Sequence, residues 1–137
     1  MARAYDCHTV LWSNEGLYLL NSLLEYQKLY DLFKPYSEEL KVICCFREIS
    51  SFKKSYIKQL YKSGFQPSED SDSFCYVESD SWLFDYERKK KLLDAVFLNN
   101  MVAFDYVNSG MVELFLQKAG FPELELEELR LNQSEAL

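Results

Sequence analysis

The 137-residue sequence is poor in the residues that punctuate and reshape a backbone: four glycines and three prolines. With so few there is no linker, and no internal repeat is visible. The glycines stand at 16, 64, 110 and 120, and none begins a G-x-x-x-x-G-K-[ST] phosphate loop. Histidine is rarer still. His8 is the only one, and Cys7 is its neighbour, so on a strand the two side chains would point to opposite faces. That argues against a Cys–His nucleophile pair and against a metal site. The four cysteines, Cys7, Cys44, Cys45 and Cys75, form no CxxC pair. A reduced, cytoplasmic chain is the expected setting. No apolar run approaches the length of a membrane span, and no signal peptide opens the sequence, so no membrane partner is expected. Positive charge is also short. Lysine and arginine number 15 against 22 acids, for a net charge of -7. That balance argues against nonspecific binding to nucleic acid or to an acidic membrane, while leaving room for a small basic pocket.

What is present is a core. Apolar residues make up 48% of the chain and aromatics 16%, a globular composition, and the length is that of a single domain spanning 1–137. The central stretch is 41–56. Val42-Ile43-Cys44-Cys45-Phe46 has no polar alternation, so it reads as a strand buried on both faces, with the cysteines as small core residues. It ends at Arg47, and an amphipathic helix follows at once. Ile49, Phe52, Tyr56, Ile57, Leu60 and Tyr61 make its apolar stripe, and Gly64 is its expected C-terminal stop.

Around that stretch the spacing predicts a first strand over 8–13. A helix follows, capped by Asn14 with Glu15 in its first turn and an apolar stripe from Leu17 to Phe33. Pro35 ends that helix or falls just after it. Residues 66–73 are a polar loop. Phe74-Cys75-Tyr76-Val77 is either a short strand or a buried loop segment. A helix from about Leu83 to Phe97, capped by Ser79 or Ser81, precedes a third strand over 101–104 that leads into Asp105-Tyr106. A helix from Met111 to Lys118, capped by Asn108 or Ser109 and closed by Gly120, comes next, and the acidic run Glu123–Glu128 reads as a solvated segment or a helix start. Arg88-Lys89-Lys90-Lys91 reads as a solvated basic face. Strands separated by helices predict an α/β fold of three layers, a short parallel sheet of about three strands flanked by helices.

Ligands of such sheets gather where strands end and helices begin. Arg47 stands at that place with its planar donor fork, and Ser55 follows eight positions later. Together they suit a phosphate or sulfate. The competing expectation is an Arg47 paired with a nearby carboxylate at the sheet edge.

The strand-Arg-x7-Ser arrangement resembles the 3′-phosphate-binding segment of the sulfotransferases that use 3′-phosphoadenosine 5′-phosphosulfate, the bacterial carbohydrate-type branch in particular. Trp12-Ser13-Asn14-Glu15-Gly16-Leu17 resembles that family's Ser-Ser-Glu-Gly-Leu segment, and Arg130-Leu131-Asn132-Gln133-Ser134 resembles its late Arg-x-Asn-x-Ser segment. The pieces stand in the family's order over nearly the whole chain. The resemblance implies a P-loop NTPase/sulfotransferase-like fold. It implies a nucleotide, 3′-phosphoadenosine 5′-phosphosulfate or adenosine 3′,5′-bisphosphate, held by Arg47, Ser55, Asn132 and Ser134. It also implies a sugar hydroxyl as acceptor and Glu15 as the base that deprotonates it. No metal is implied. The sequence departs from the family in one respect. The phosphate-binding loop after the family's first strand has no counterpart here, and Arg3 precedes the first expected strand. The expectation is therefore the later part of a sulfotransferase domain, a fragment or a degenerate stand-alone domain, inactive in transfer by itself. The alternative is a non-catalytic α/β interaction or oligomerisation module, a homo-oligomer joined through an exposed sheet edge.

Overall fold

The computed structural model describes residues 8–122. Within them the chain is a mixed α/β fold of four α-helices and a small open sheet of two parallel strands. Strand β1 is Val42–Phe46 and β2 is Met101–Asp105, paired in register from Val42 opposite Met101 to Phe46 opposite Asp105. The helices are α1, Leu23–Phe33; α2, Ile49–Lys62; α3, Tyr86–Phe97; and α4, Met111–Ala119.

Alternation along each strand sends side chains to opposite faces. Val42, Cys44 and Met101 pack into a core built from Tyr26 of α1 and Leu93, Val96 and Phe97 of α3. On the opposite face, Phe104 meets Phe115 of α4 with ring centroids 6.5 Å apart. Helices therefore pack against both faces of the strand pair. Cys44 is a core residue as expected, while Cys45, on the α4 face, is half-buried.

The sheet has two strands, not three. The expected first strand over 8–13 has no partner strand and no regular structure. Extended backbone without a ladder leaves its N–H and C=O groups to water, so pattern alone does not make a strand. Here Trp12 turns its ring edge-on to Phe33, 4.6 Å between centroids.

The first expected helix is split in two. Asn14 does cap, accepting from Gly16 N at 2.8 Å, but what it caps is a 3-10 turn over Glu15–Leu19. Leu20 is extended, and Ser22 begins α1 as a second cap whose side chain accepts from Glu25 N. The break frees the carbonyls of Tyr18 and Leu20, and both are taken by a lysine of α3.

The third expected helix is also broken at its start. Ser81 caps a 3-10 turn over Trp82–Phe84, and Asp85 then caps α3 by accepting from Arg88 N at 3.1 Å. Phe74–Val77 is a buried loop segment. Cys75 and Val77 pack with Leu60 of α2, and the Tyr56 hydroxyl donates to the Phe74 carbonyl at 2.6 Å. α4 starts on Gly110 in the left-handed region, so the N-cap position falls one residue past Ser109, on a residue with no side chain to cap with. The glycine stops hold. Gly64 at φ +83° lets Phe65 N reach back to Leu60 O at 2.9 Å, and Gly120 at φ +95° lets Phe121 N reach Leu116 O at 2.8 Å.

The basic run 88–91 is not one solvated face. Lys89 is 3% exposed. Its ammonium donates to Tyr18 O at 2.5 Å, Leu20 O at 2.8 Å and the Tyr26 hydroxyl at 2.9 Å, so all three of its N–H bonds are satisfied. Arg88 beside it donates to Asn21, at the side-chain amide oxygen and, at 2.8 Å, the carbonyl. A charge run on a helix turns through 100° per residue, so one member falls on the core side. Tertiary acceptors then decide whether that member is tolerated.

Candidate functional site

Because β1 and β2 run parallel, their C-terminal ends open at the same edge. A cleft of about 410 Å³ lies there, lined by Phe46, Arg47, Glu48, Ile49, Tyr86, Lys90, Asp105 and Tyr106. Each residue arrives by a local cause. Phe46 and Asp105 are the last pair of the ladder, and Tyr106 N donates to Phe46 O at 2.8 Å, tying the two strand ends together. Arg47 is the first residue past β1. Its carbonyl accepts from the Tyr86 hydroxyl at 2.6 Å, which clamps the strand exit to α3. The Tyr86 ring also meets Phe46, with centroids 4.7 Å apart.

The Arg47 guanidinium lies over the Tyr106 ring, 5.1 Å from its centroid. Among the described residues no carboxylate lies within ion-pair distance of it, so the edge salt bridge is not what holds it. A guanidinium held against a ring face by cation–π attraction still has N–H donors to offer an anion. Lys90 adds a second cation. Its ammonium lies 5.1 Å from the Phe46 centroid and 3.4 Å from Glu87.

Glu48 is the negative element. Its carboxylate caps α2, accepting from Ser50 N and Ser51 N at 3.0 Å each and from the Ser50 hydroxyl. These bonds, the Ser50 hydroxyl first, hold its pKa down to about 2. Burial raises the Tyr86 phenol above its ordinary range, with the Glu48 charge adding to it, so Tyr86 remains a neutral donor to Arg47.

Of the residues singled out in the sequence, Arg47 lines the cleft. Ser55 lies on α2, exposed, and does not line it; Glu15, also exposed, begins the 3-10 turn and does not line it either. Asn132 and Ser134 lie outside the described residues. Sequence reasoning missed Glu48, Tyr86, Lys90 and Tyr106. Glu48 carried a signal, an acid directly before a helix that opens Ile-Ser-Ser. Tyr106 carried another, since it leaves β2 as Arg47 leaves β1. Tyr86 and Lys90 lie on a helix distant in sequence, and nothing local marks them.

A second cleft, of about 390 Å³, lies among Leu19, Ser22, Glu25, Asp72, Phe74 and Trp82. Among the described residues no group of three or more His, Cys, Asp and Glu is placed to hold a metal ion, and no helix is long and apolar enough to cross a membrane. Comparison with protein-family models, with curated proteins and with solved structures found no match.

Proposed function

We propose that this chain is a sulfotransferase-like nucleotide-binding domain. Its cleft at the C-terminal ends of β1 and β2 receives the 3′-phosphate of adenosine 3′,5′-bisphosphate or of its phosphosulfate. The observation that carries the proposal is the Arg47 guanidinium, held over Tyr106 at the strand exit with no carboxylate partner among the described residues. A charged fork left unpaired beside a cleft is suited to a bidentate anion. The order of sequence segments shared with the sulfotransferases points to the same ligand. Glu15 would act as base towards a sugar hydroxyl only if nucleotide and acceptor approach the 3-10 turn it begins. No loop in the sequence is of the kind that neutralises the leaving phosphate, so the proposed activity is binding without sulfuryl transfer. Calorimetric titration with adenosine 3′,5′-bisphosphate tests this, with Arg47→Ala expected to abolish the heat. A folded protein that shows no binding overturns it, and sulfated product from the purified chain overturns the absence of transfer.

A second function is favoured by one observation. Among the described residues each strand of the two-strand sheet has an unpaired outer edge, and β1 is an uncharged Val-Ile-Cys-Cys-Phe run. Such an edge is a template for another chain, and self-association through it is the alternative role. A single monomeric species by light scattering across a hundredfold range of concentration would remove this alternative.

A further inference from the structure

The basic run 88–91 is divided by the fold. Arg88 is held by Asn21, and Lys89 is buried against the segment before α1. Lys90, one residue on and about 100° further round α3, lines the cleft with Arg47. Two anchors fix it there. The buried Lys89 sets the rotation of α3, and Tyr86, one helical turn before Lys90 on the same face, donates to Arg47 O at 2.6 Å. The Lys90 ammonium lies 5.1 Å from the centroid of Phe46, the residue that precedes Arg47. Its one hydrogen bond among the described residues goes to Glu87, at 3.4 Å, and the Glu87 side chain is 78% exposed. An exposed pair of that kind, three positions apart on one helix, is weak and gives way readily to a ligand. The other Lys90 N–H donors have no acceptor among the described residues.

We infer that Lys90 is the second anion-binding residue of the cleft: Arg47 takes the 3′-phosphate of the nucleotide, Lys90 takes its 5′-phosphate, and the cleft prefers the bisphosphate to a monophosphate. This rests on the nucleotide-binding function proposed above and deepens it by naming what reads the second phosphoryl group. The division follows from the two side chains. One guanidinium fork is filled by one phosphoryl group, bound through two parallel N–H donors. A lysine is a point charge on a flexible stem, so it can follow a phosphoryl group whose position the fork does not fix. The acids of the lining make the second cation necessary. Glu48 is turned onto α2, where it holds Ser50 and Ser51, and Asp105 ends β2. With both cations the lining carries two positive and two negative side chains. With Arg47 alone its net charge would be negative, which disfavours a ligand with two phosphoryl groups.

The test titrates the full wild-type chain, Lys90→Met, Lys90→Arg and Glu87→Gln with adenosine 3′-monophosphate and adenosine 3′,5′-bisphosphate at low ionic strength. In the wild type the bisphosphate is expected to bind roughly two- to fivefold more tightly than the monophosphate, the range of an exposed charge pair. Lys90→Met keeps the stem and removes the charge, and is expected to bring that ratio down to about one. Lys90→Arg keeps the charge and is expected to restore the preference. Glu87→Gln removes the competing carboxylate and is expected to raise it. Phosphorus resonances separate the two groups of the bisphosphate. Both are expected to shift on binding to the wild type, and with Lys90→Met the 5′-phosphate is expected to lose its shift while the 3′-phosphate keeps its own. A ratio unchanged by Lys90→Met, a preference not restored by Lys90→Arg, or a 3′ resonance that loses its shift in place of the 5′ one overturns the role of Lys90 and leaves nucleotide binding standing. No nucleotide bound by any of the four folded proteins overturns nucleotide binding and the role of Lys90 with it.

Discussion

The Lys89 ammonium lies 4.3 Å from the centroid of the Tyr18 ring and donates to the carbonyl of the same residue at 2.5 Å. One side chain of α3 thus holds the segment before α1 by its backbone and by its ring. The Tyr26 and Trp82 rings stand 5.5 and 5.6 Å from the same ammonium. The Tyr18 hydroxyl returns the tie, donating to Leu83 O at 2.7 Å.

Lys89→Ala is expected to destabilise the fold by about 3 kcal/mol. It leaves the part-buried Tyr18 carbonyl without its partner, while the Tyr26 hydroxyl and Leu20 O keep each other at 2.6 Å, and it removes a packed aliphatic stem and a buried cation held by three acceptors. Lys89→Met, which keeps the stem, is expected to cost less. Urea unfolding of the two variants against wild type measures both, and an alanine variant within 1 kcal/mol of wild type would contradict the anchoring role.

Burial pulls the Lys89 pKa down to about 8, against the opposing pull of the Cys44 position. The folded state therefore gives up this proton before the unfolded chain does. From about pH 8 up to the ordinary lysine value the unfolded state binds more protons, and stability contributed at this site rises with pH. Other buried groups work the opposite way. Burial pushes the Cys44 thiol up to about 11 and the Tyr18 and Tyr26 phenols well above their usual range. Their contributions are complete at neutral pH and are lost in strong alkali. The expected net result is that wild type gains stability relative to Lys89→Met between pH 7 and 9.5, read from urea midpoints at each pH.

Tyr86→Phe removes the hydroxyl that donates to Arg47 O at 2.6 Å and leaves that carbonyl without its partner. The expected cost is about 1 kcal/mol of stability. Nucleotide affinity is expected to weaken as well, because the clamp sets the exit angle of the arginine. An unchanged affinity would show that Arg47 is positioned by Tyr106 instead.

Leu98 ends α3 at φ +53°, in the left-handed region, and is 73% exposed. A leucine there is strained by its own Cβ and buries little in return. Leu98→Gly is expected to stabilise the protein by roughly 0.5 kcal/mol, the relieved strain being offset in part by the entropy of a freer unfolded chain. Thermal unfolding checks the sign.

The two real strands were legible because each is a short unbroken apolar run leaving into a polar residue, Arg47 after one and Asp105 at the end of the other. The glycine stops at 64 and 120 were legible because a left-handed residue with no Cβ is a local requirement. The sequence also located Arg47 at the mouth of the sheet, from the strand's end alone. The segment over 8–13 misled because a strand is defined by a neighbour, and local pattern does not supply one. The stripe from Leu17 to Phe33 misled because two carbonyls in it are needed elsewhere, by Lys89. What only the tertiary structure decided is what surrounds Arg47. The Tyr106 ring lies under its guanidinium, Tyr86 fixes its carbonyl, Lys90 lines the same cleft, and Glu48 turns back onto α2 instead of pairing with it. The physical reason is one of range. Capping, glycine stops and apolar runs are set within a few residues. The charge balance of a cleft is set by side chains dozens of positions apart, brought together by packing.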